Sequence, residues 1–333
     1  MPCWGSTCCK ATKARAPRPG EAEWATLVRL SHKPSPKPVK PLPVVADALR
    51  SGARRLSRAG LFFGHGTDNA RDEAAALLWS VLRLPWPVTA AAYRRRLRPA
   101  QRTAWEALLE RRIATRLPAA YLTGETFFAG LPLRTDPRAL VPRSPLAELI
   151  ERQFTPWIDP ARVRRVLDLC TGGGCIALAC AHHLPLARIE GTDISPPALE
   201  LARENRRRLG LSRRVRLTES DHFSALQGRE YDIIVSNPPY VGARELRSLP
   251  PEYGHEPRLA LASGRDGLDS VRVILQEAAR HLTPGGILVV EVGNTESLVR
   301  RRWPRLPFMW LEFERGGGGV FVLTREQLTT HVR

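Results

Sequence analysis

The stretch that decides the fold is VLDLCTGGGCIALA, residues 166–179. An apolar run contains Asp168 near its end, and a glycine-rich turn and a helix-forming segment follow. This strand–loop–helix pattern is typical of a site for a nucleotide-type ligand. Glycines let the backbone come close to a ligand, and the start of the following helix presents free N–H groups. Ala177 stands where a dinucleotide fingerprint would have its third glycine, which disfavours a dinucleotide.

Two further apolar stretches downstream also end in an acidic residue. The first is ARIEGTDIS at 187–195, with Asp193, and the second is VRLTESD at 215–221, with Asp221. Each acid alone is more often a helix cap or a turn former. Three in succession predict parallel strands whose carboxyl ends meet at one edge of a sheet, where such folds bind ligands. A carboxylate at Asp193 suits both hydroxyls of a ribose, and one at Asp221 suits the amino group of adenine.

A fourth apolar run, YDIIVS at 231–236, leads into Asn237-Pro238-Pro239-Tyr240. This tetrapeptide is typical of enzymes that methylate a planar, conjugated amino or amide nitrogen with S-adenosylmethionine; an ordinary Asn-Pro turn is the structural alternative. Such a nitrogen is a poor nucleophile because its lone pair is delocalised. The Asn237 carbonyl can accept one N–H and a backbone carbonyl fixed by the prolines can accept the other, which favours a pyramidal nitrogen. The Tyr240 ring can pack on the substrate plane.

Composition restricts the class of protein. The 333 residues are 43% apolar and carry a net charge of +18, which suits two folded units and either an anionic partner such as RNA or an arginine-rich proteome. No window approaches the ~20 apolar residues that span a bilayer, and residues 1–10 lack the apolar core of a secretory signal. The six cysteines have neither a disulfide framework nor zinc spacing. We therefore expect a cytoplasmic protein with no membrane segment and no metal.

Four segments follow from the patterning. Residues 1–43 are rich in Pro, Lys and Arg and predict a basic disordered tail. Residues 44–118 have helical periodicity and predict a small helical domain. We separately assign recognition of the substrate to this domain. Residues 119–145 predict a β-hairpin linker with a glycine turn. Residues 146–333 alternate strands with helices, which predicts an α/β methyltransferase domain, and they end in an antiparallel pair that flanks the glycines at 316–319.

Eight stretches after the tail match the signatures of one enzyme family. They are GHGTDN (64–69), PAAYLTG (118–124), VPRSPLAELI (141–150), DLCTGGG (168–174), SDHFSAL (220–226), NPPYV (237–241), LPPEYGHEP (249–257) and WLEFERGG (310–317). On these residues the chain resembles the protein N5-glutamine methyltransferases (the HemK/PrmB group). It is most similar to the PrmB branch, since the release-factor branch usually has Pro-Arg-Pro-[Glu/Asp]-Thr-Glu where this chain has PRSPLA at 142–147.

The resemblance implies a fold and an activity. The fold is a class I Rossmann-like, seven-stranded S-adenosylmethionine-dependent methyltransferase domain with a small helical N-terminal domain and a linking β-hairpin. The activity is methylation of the side-chain amide nitrogen (N5) of a glutamine in large-subunit (50S) ribosomal protein L-three, by direct in-line methyl transfer. The partner is then that ribosomal protein, either free or within an rRNA-containing assembly intermediate.

Roles can be carried over by position. Gly173 replaces a common Ser or Thr, and His222 stands where relatives often have an aromatic or large apolar side chain, so the packing of His222 is open. The implied cofactor-binding residues are Asp168, Cys170, Thr171, Gly172, Gly173, Gly174, Asp193, Asp221, His222 and Asn237. The implied substrate-binding residues are Asn237, Pro238, Pro239 and Tyr240, and of these Asn237, Pro238 and Tyr240 are the implied catalytic residues.

Three other functions compete with this one. The nearest is the same chemistry on the Gly-Gly-Gln glutamine of peptide chain release factors. The second is methylation of adenine N6 in nucleic acid, because Asn-Pro-Pro-Tyr also serves exocyclic amines and the chain is basic; no DNA-reading module is recognisable in the sequence. The third is a ribosome-assembly binder with a degenerate methyltransferase domain, which the acids and Asn237 disfavour.

Overall fold

The computed structural model describes residues 43–84 and 88–331. The predicted basic tail, residues 1–43, lies outside these ranges except for Pro43. No described helix is long and apolar enough to cross a bilayer. The described residues also contain no group of three or more His, Cys, Asp or Glu side chains that could hold a metal ion.

Helices build the first part of the described chain. Buried apolar side chains such as Leu56, Leu77 and Trp105 form their common core. The packing is close, because a Cβ on Gly52 would lie 2.4 Å from Cζ2 of Trp105. The side chain of Asn69 caps the second helix by accepting from two first-turn N–H groups. The helices are α1 (Val45–Arg58), α2 (Ala70–Leu82), α3 (Ala90–Arg94), α4 (Pro99–Thr115) and α5 (Ala119–Thr123).

A β-hairpin follows, formed by β1 (Glu125–Phe128) and β2 (Leu131–Arg134), which pair antiparallel. The hairpin is shorter than the sequence predicts, because the residues before Gly124 form α5 instead of a strand. Their run of Ala, Tyr and Leu supports a helical turn, and Gly124 ends it with φ +71°. The hydroxyl of Tyr121 donates to the carbonyl of Ala139 and so ties α5 to the segment that enters the next domain.

A seven-stranded sheet forms the second part, in the order β5-β4-β3-β6-β7-β9-β8. The pairs from β5 to β7 are parallel and the last two are antiparallel, so the predicted fold and the predicted terminal antiparallel pair are confirmed. The strands are β3 (Arg165–Leu169), β4 (Arg188–Asp193), β5 (Val215–Glu219), β6 (Tyr231–Ser236), β7 (Leu282–Glu291), β8 (Met309–Leu311) and β9 (Val320–Thr324).

Helices cover both faces of this sheet. Val166 and Leu167, neighbours in β3, belong to two different buried clusters, because successive side chains of a strand point to opposite faces. The chain builds outward from β3 to β5 and then returns to place β6 on the other side of β3, so the strand order reverses between β3 and β6. The helices are α6 (Leu146–Glu151), α7 (Cys175–His183), α8 (Pro196–Arg208), α9 (Ala243–Leu246), α10 (Asp269–Glu277), α11 (Glu296–Arg302) and α12 (Arg325–His331).

Candidate active site

A cavity of about 250 Å³ opens at the carboxyl ends of the central strands. Its walls come from the loops after β3, β4, β5 and β6 and from residues 138–144, which precede α6. This is the place where the strand order reverses and where open α/β sheets bind ligands. The sequence-predicted residues that line it are Cys170, Thr171, Gly172, Gly173, Asp193, Asp221, His222, Asn237 and Pro239.

Asp168 lies behind the cavity wall and is not part of the lining. Its side chain is fully buried, and Oδ2 accepts from the hydroxyl of Thr171 and, at 2.8 Å, from the N–H of Ala177. Burial raises the pKa of Asp168 to about 7, although these two hydrogen bonds act in the opposite direction. Oδ1 is buried without a partner among the described residues. In this structure the carboxylate fastens the glycine loop to the first turn of α7.

The glycine loop combines one open position with one crowded position. A Cβ on Gly172, where φ is +55°, would meet nothing within 4 Å, so the backbone there is exposed to the cavity. A Cβ on Gly174 would lie 3.0 Å from the Cβ of Ala202 in α8, and Gly174 is not part of the lining. Gly172 therefore allows a ligand to approach the backbone, whereas Gly174 allows helix and loop to pack.

Asp193 ends β4 with its carboxylate held by backbone N–H groups. Oδ2 accepts from Gly172 at 2.8 Å and Oδ1 accepts from Ser195 at 2.9 Å. Burial raises the pKa of Asp193, and these hydrogen bonds partly offset the effect. Each carboxylate oxygen has a second acceptor position, so the side chain can still take two hydroxyl donors from a ligand in the cavity.

Asp221 and His222 form the far wall as a pair. Nδ1 of His222 lies 2.7 Å from Oδ1 of Asp221, whose side chain is mostly exposed. His222 has φ +46°, a left-handed conformation that is uncommon outside glycine. Its Nε2 is buried without a hydrogen-bond partner in the described part of the chain. The cavity wall therefore offers one unsatisfied nitrogen beside an exposed carboxylate.

The Asn237-Pro-Pro-Tyr turn places its four residues differently. Asn237 lines the cavity half-buried, and its amide makes no hydrogen bond within the described residues. Pro239 also lines it, whereas Pro238 is buried behind it. The Tyr240 ring is outside the lining and packs close to Gly293, where a Cβ would lie 2.8 Å from Cε2 of the ring. The Tyr240 ring thus supports the turn from behind.

Glu291 is a site residue that the sequence reasoning missed. It ends β7, directly beyond the Ser236–Val290 pair of the β6–β7 ladder, so it lies across from Asn237. Ser144, a lining residue, donates to Oε2, and the hydroxyl of Tyr240 donates to Oε1 at 3.3 Å. Burial raises the pKa of Glu291 to about 7. Its position after the apolar run ILVV (287–290) repeats the pattern of Asp168 and Asp193, which is the signal that could have revealed it.

Glu291→Gln is expected to change how stability depends on pH. The folded protein keeps a proton on Glu291 up to about pH 7, whereas a free carboxyl loses it near 4.5. Between these values the folded state binds the extra proton, so the wild-type free energy of unfolding falls as pH rises. Glutamine has no such proton to lose. Relative to wild type, the free energy of unfolding of the variant should therefore rise by up to about 3 kcal/mol between these two pH values.

Urea unfolding near pH 4.5 and again above pH 7 measures this difference. Glu219→Gln, at an exposed position of the edge strand β5, serves as the control and should show no comparable gain. A variant-to-wild-type difference that stays constant with pH would mean that Glu291 is already charged in the folded protein.

A set of buried ionic contacts joins the helical part to the cavity. Glu256 is buried and receives two hydrogen bonds of 2.6 Å from the guanidinium of Arg143, a lining residue. Burial alone would raise the pKa of Glu256, but the bonds from Arg143 outweigh it and lower the pKa to about 2. Oε2 of Glu256 also lies 3.4 Å from Nε2 of the buried His65, which precedes α2. Residues 138–144, which we call the Arg143 loop, are therefore held by the 249–257 segment and by the helical part together.

Glu252, in the same 249–257 segment, extends this connection. Its buried carboxylate accepts from the N–H of Phe62 at 3.0 Å and pairs with Arg116 at 2.8 Å. Arg112, fully buried in α4, lies 3.6 Å from Glu252 and donates to Glu73 of α2 at 2.6 Å. The 249–257 segment thus brings the carboxylates of Glu252 and Glu256 into contact with residues of the helical part.

Comparison with known proteins gives two family matches and close relatives. Residues 152–248 match the methyltransferase small domain and residues 47–124 match the PrmC N-terminal domain. The ribosomal protein uL3 glutamine methyltransferase of Xylella fastidiosa is 48% identical over 297 residues, which is 89% of this chain and 95% of the relative. Proteins of the same name from Xanthomonas campestris and Neisseria meningitidis are 48% and 47% identical, over 87% and 86% of this chain and 94% and 95% of theirs.

Proposed function

The chain belongs to the ribosomal protein uL3 glutamine methyltransferase family, and from this premise we propose that it methylates the N5 amide nitrogen of a glutamine in ribosomal protein uL3. It is a protein-glutamine methyltransferase, and its methyl donor in this proposal is S-adenosylmethionine. The substrate is met in the cytoplasm, either free or on rRNA. The helical residues 44–118, the β-hairpin and the Arg143 loop recognise the substrate protein.

The unpaired amide of Asn237 is the observation that carries this proposal. Asn237 is half-buried in a cavity wall, is followed by two prolines and has no side-chain hydrogen bond to any residue that the structure describes. Its amide therefore keeps its full capacity to hold another amide. The Asn237 carbonyl accepts one N–H of the glutamine side chain, and the backbone carbonyl of Pro238 accepts the other. A hydroxyl or thiol substrate would leave one of these two acceptors unused.

The cavity fits the proposed donor in three respects. Gly172 leaves open space where a ligand can contact the backbone, and Asp193 keeps a free acceptor position on each oxygen. His222 has a buried nitrogen that finds no partner in residues 43–84 and 88–331. The glycine loop would hold the methionine part, Asp193 the ribose, and Asp221 with His222 the adenine. Asp168 and Gly174 would act from behind by shaping the loop.

The residues of the chain supply orientation more than reactivity. When bound, S-adenosylmethionine offers a methyl group on a positively charged sulfur, which is already a strong electrophile. Asn237 and Pro238 would hold both N–H groups, which turns the nitrogen lone pair out of conjugation and aims it at the methyl group. The nitrogen, positively charged once methylated, would then lose one proton to solvent, and no covalent enzyme intermediate is needed. Burial, together with the neighbouring Glu291, raises the pKa of Tyr240, so that its hydroxyl keeps its proton and its hydrogen bond to Glu291.

Intact-mass analysis of ribosomal proteins tests the proposed function. A strain that lacks the gene should yield a uL3 that is lighter by one methyl group, and expression of the wild-type chain should restore the mass. Release factors from the same strain should be unchanged. A methyl group missing from a release factor instead would assign the chain to the alternative substrate.

Asp193→Ala is expected to weaken binding of S-adenosylmethionine by about 10- to 100-fold, because a buried, charged acceptor is lost. Asp193→Asn keeps one acceptor oxygen and should lie between the alanine variant and wild type. Isothermal titration with the cofactor measures both affinities in the absence of substrate. Normal cofactor affinity of Asp193→Ala would contradict the role assigned to Asp193.

A further inference from the structure

An arginine-lined groove lies beside the turn that carries Asn237. We call it the arginine groove; Arg244, Arg247 and Arg265 line it together with Ala243 and Asp266, and its volume is about 730 Å³. All three arginines are exposed. The groove is separate from the cavity, since the two share no lining residue.

Backbone contacts fix the groove to the active-site turn. The N–H of Ala243 donates to the carbonyls of Gly264 and Arg265 at 3.1 and 3.3 Å. A Cβ on Gly267, where φ is +83°, would lie 2.4 Å from the carbonyl oxygen of Tyr240. Only glycine permits this approach. The segment that carries Arg265 is therefore packed directly on the end of the Asn-Pro-Pro-Tyr turn.

The lining of the groove carries more positive than negative charge, with three arginines and one aspartate. Within the described ranges, none of the three arginines forms an ion pair with a carboxylate. The one acid in the lining, Asp266, is already paired with Arg272 at 2.7 Å. By contrast Arg143, which lines the cavity, is neutralised by Glu256. Three free guanidinium groups around one open groove suit phosphate groups, which they bind in a bidentate manner.

We propose that the arginine groove binds the phosphate backbone of RNA next to the glutamine that is methylated. This inference rests on the proposed function, because a ribosomal protein that is already on rRNA brings phosphates close to its own surface. An acidic peptide would also be attracted to the groove. RNA is favoured because the substrate is itself an RNA-binding protein, and an RNA strand offers a regular row of charges to the three arginines.

A binding experiment tests the groove independently of methylation. The full chain is titrated with a labelled RNA hairpin at several salt concentrations. The groove variant is Arg244→Gln/Arg247→Gln/Arg265→Gln. Its control changes the same amount of charge at three exposed positions outside the groove, as Arg207→Gln/Arg213→Gln/Arg301→Gln. Loss of three phosphate contacts should reduce the slope of log affinity against log salt by about 2 to 3 in the groove variant only. Equal losses in both variants, or stronger binding of polyglutamate than of RNA, would overturn the proposal.

A methylation experiment tests its consequence. Unmethylated uL3 is offered free and in rRNA-containing particles from a strain that lacks the enzyme. The groove variant should lose kcat/KM on the particles and keep the wild-type value on the free protein. Equal losses of kcat/KM on both substrates would mean that the arginines contact protein or support the turn. An unchanged kcat/KM on both would mean that the arginines play no part in substrate recognition. If the wild-type enzyme methylates neither form, the proposed function fails, and the binding experiment still decides on the groove.

Discussion

Asn237→Ala is expected to lower kcat by about 10²- to 10³-fold, the usual cost of removing one oriented hydrogen-bonding group that acts on the transition state. The Asn237 carbonyl matters most as the glutamine nitrogen becomes pyramidal, because its N–H bonds then point out of the amide plane towards the two acceptors. Pro238 alone cannot impose this geometry. Affinity for S-adenosylmethionine should remain close to wild type, since Asp193 and the glycine loop are unchanged.

Single-turnover methylation of purified uL3, together with cofactor titration, separates these two effects. Asn294→Ala, at an exposed asparagine on the loop after β7, is the matched control and should retain wild-type turnover. The assignment of roles is wrong if Asn237→Ala turns over normally but binds the cofactor poorly.

Arg112→Leu is expected to destabilise the fold by about 3–5 kcal/mol, because removing one partner of a buried ion pair leaves the other charge uncompensated. Arg112 is fully buried, and without it the Glu73 carboxylate would retain, among the described residues, only the hydrogen bond from the hydroxyl of Thr67 at 3.2 Å. Glu252 would still have Arg116 and the N–H of Phe62. Most of the loss should therefore come from Glu73.

Equilibrium denaturation measures the loss, and α4 itself provides the control. Arg102, on an exposed part of the same helix, pairs with Glu106 at 2.8 Å, and its replacement by leucine should cost about 0.3–0.5 kcal/mol. Combining Arg112→Leu with Glu73→Leu removes the stranded charge and should restore part of the stability. Equal costs for Arg112→Leu and Arg102→Leu would show that the buried network contributes no more than a surface pair.

The sheet was predictable because each parallel strand is a short apolar run with an acid or Asn at its end. Each ligand loop directly follows the end of a strand in the chain, so the run that contains Asp168 predicts both β3 and the loop after it. The start of the hairpin was not predictable in the same way. Residues 119–123 form α5, where Tyr121 reaches the carbonyl of Ala139, 18 residues further on, and local patterning does not contain that contact.

Site residues were predictable where the side chain lines the cavity directly at the end of its own strand. Asp193 and Asn237 line the cavity as expected, but Asp168 and Tyr240 turn away from it towards partners from other elements. The apolar run before Glu291 marks it as an acid at a strand end, but its contact with Ser144, 147 positions earlier in the chain, could not be read from the sequence. Long-range pairs of this kind leave no periodic trace in a single sequence.

The buried carboxylates of the 249–257 segment limit how this enzyme can be recombined. Glu252 and Glu256 are encoded within the catalytic half, yet their partners Phe62, His65 and Arg116 come from the N-terminal half. A chimera that exchanged residues 44–118 alone would bring foreign side chains against both acids. The transplantable module is therefore discontinuous in sequence, and a functional graft has to carry the 249–257 segment together with the helices.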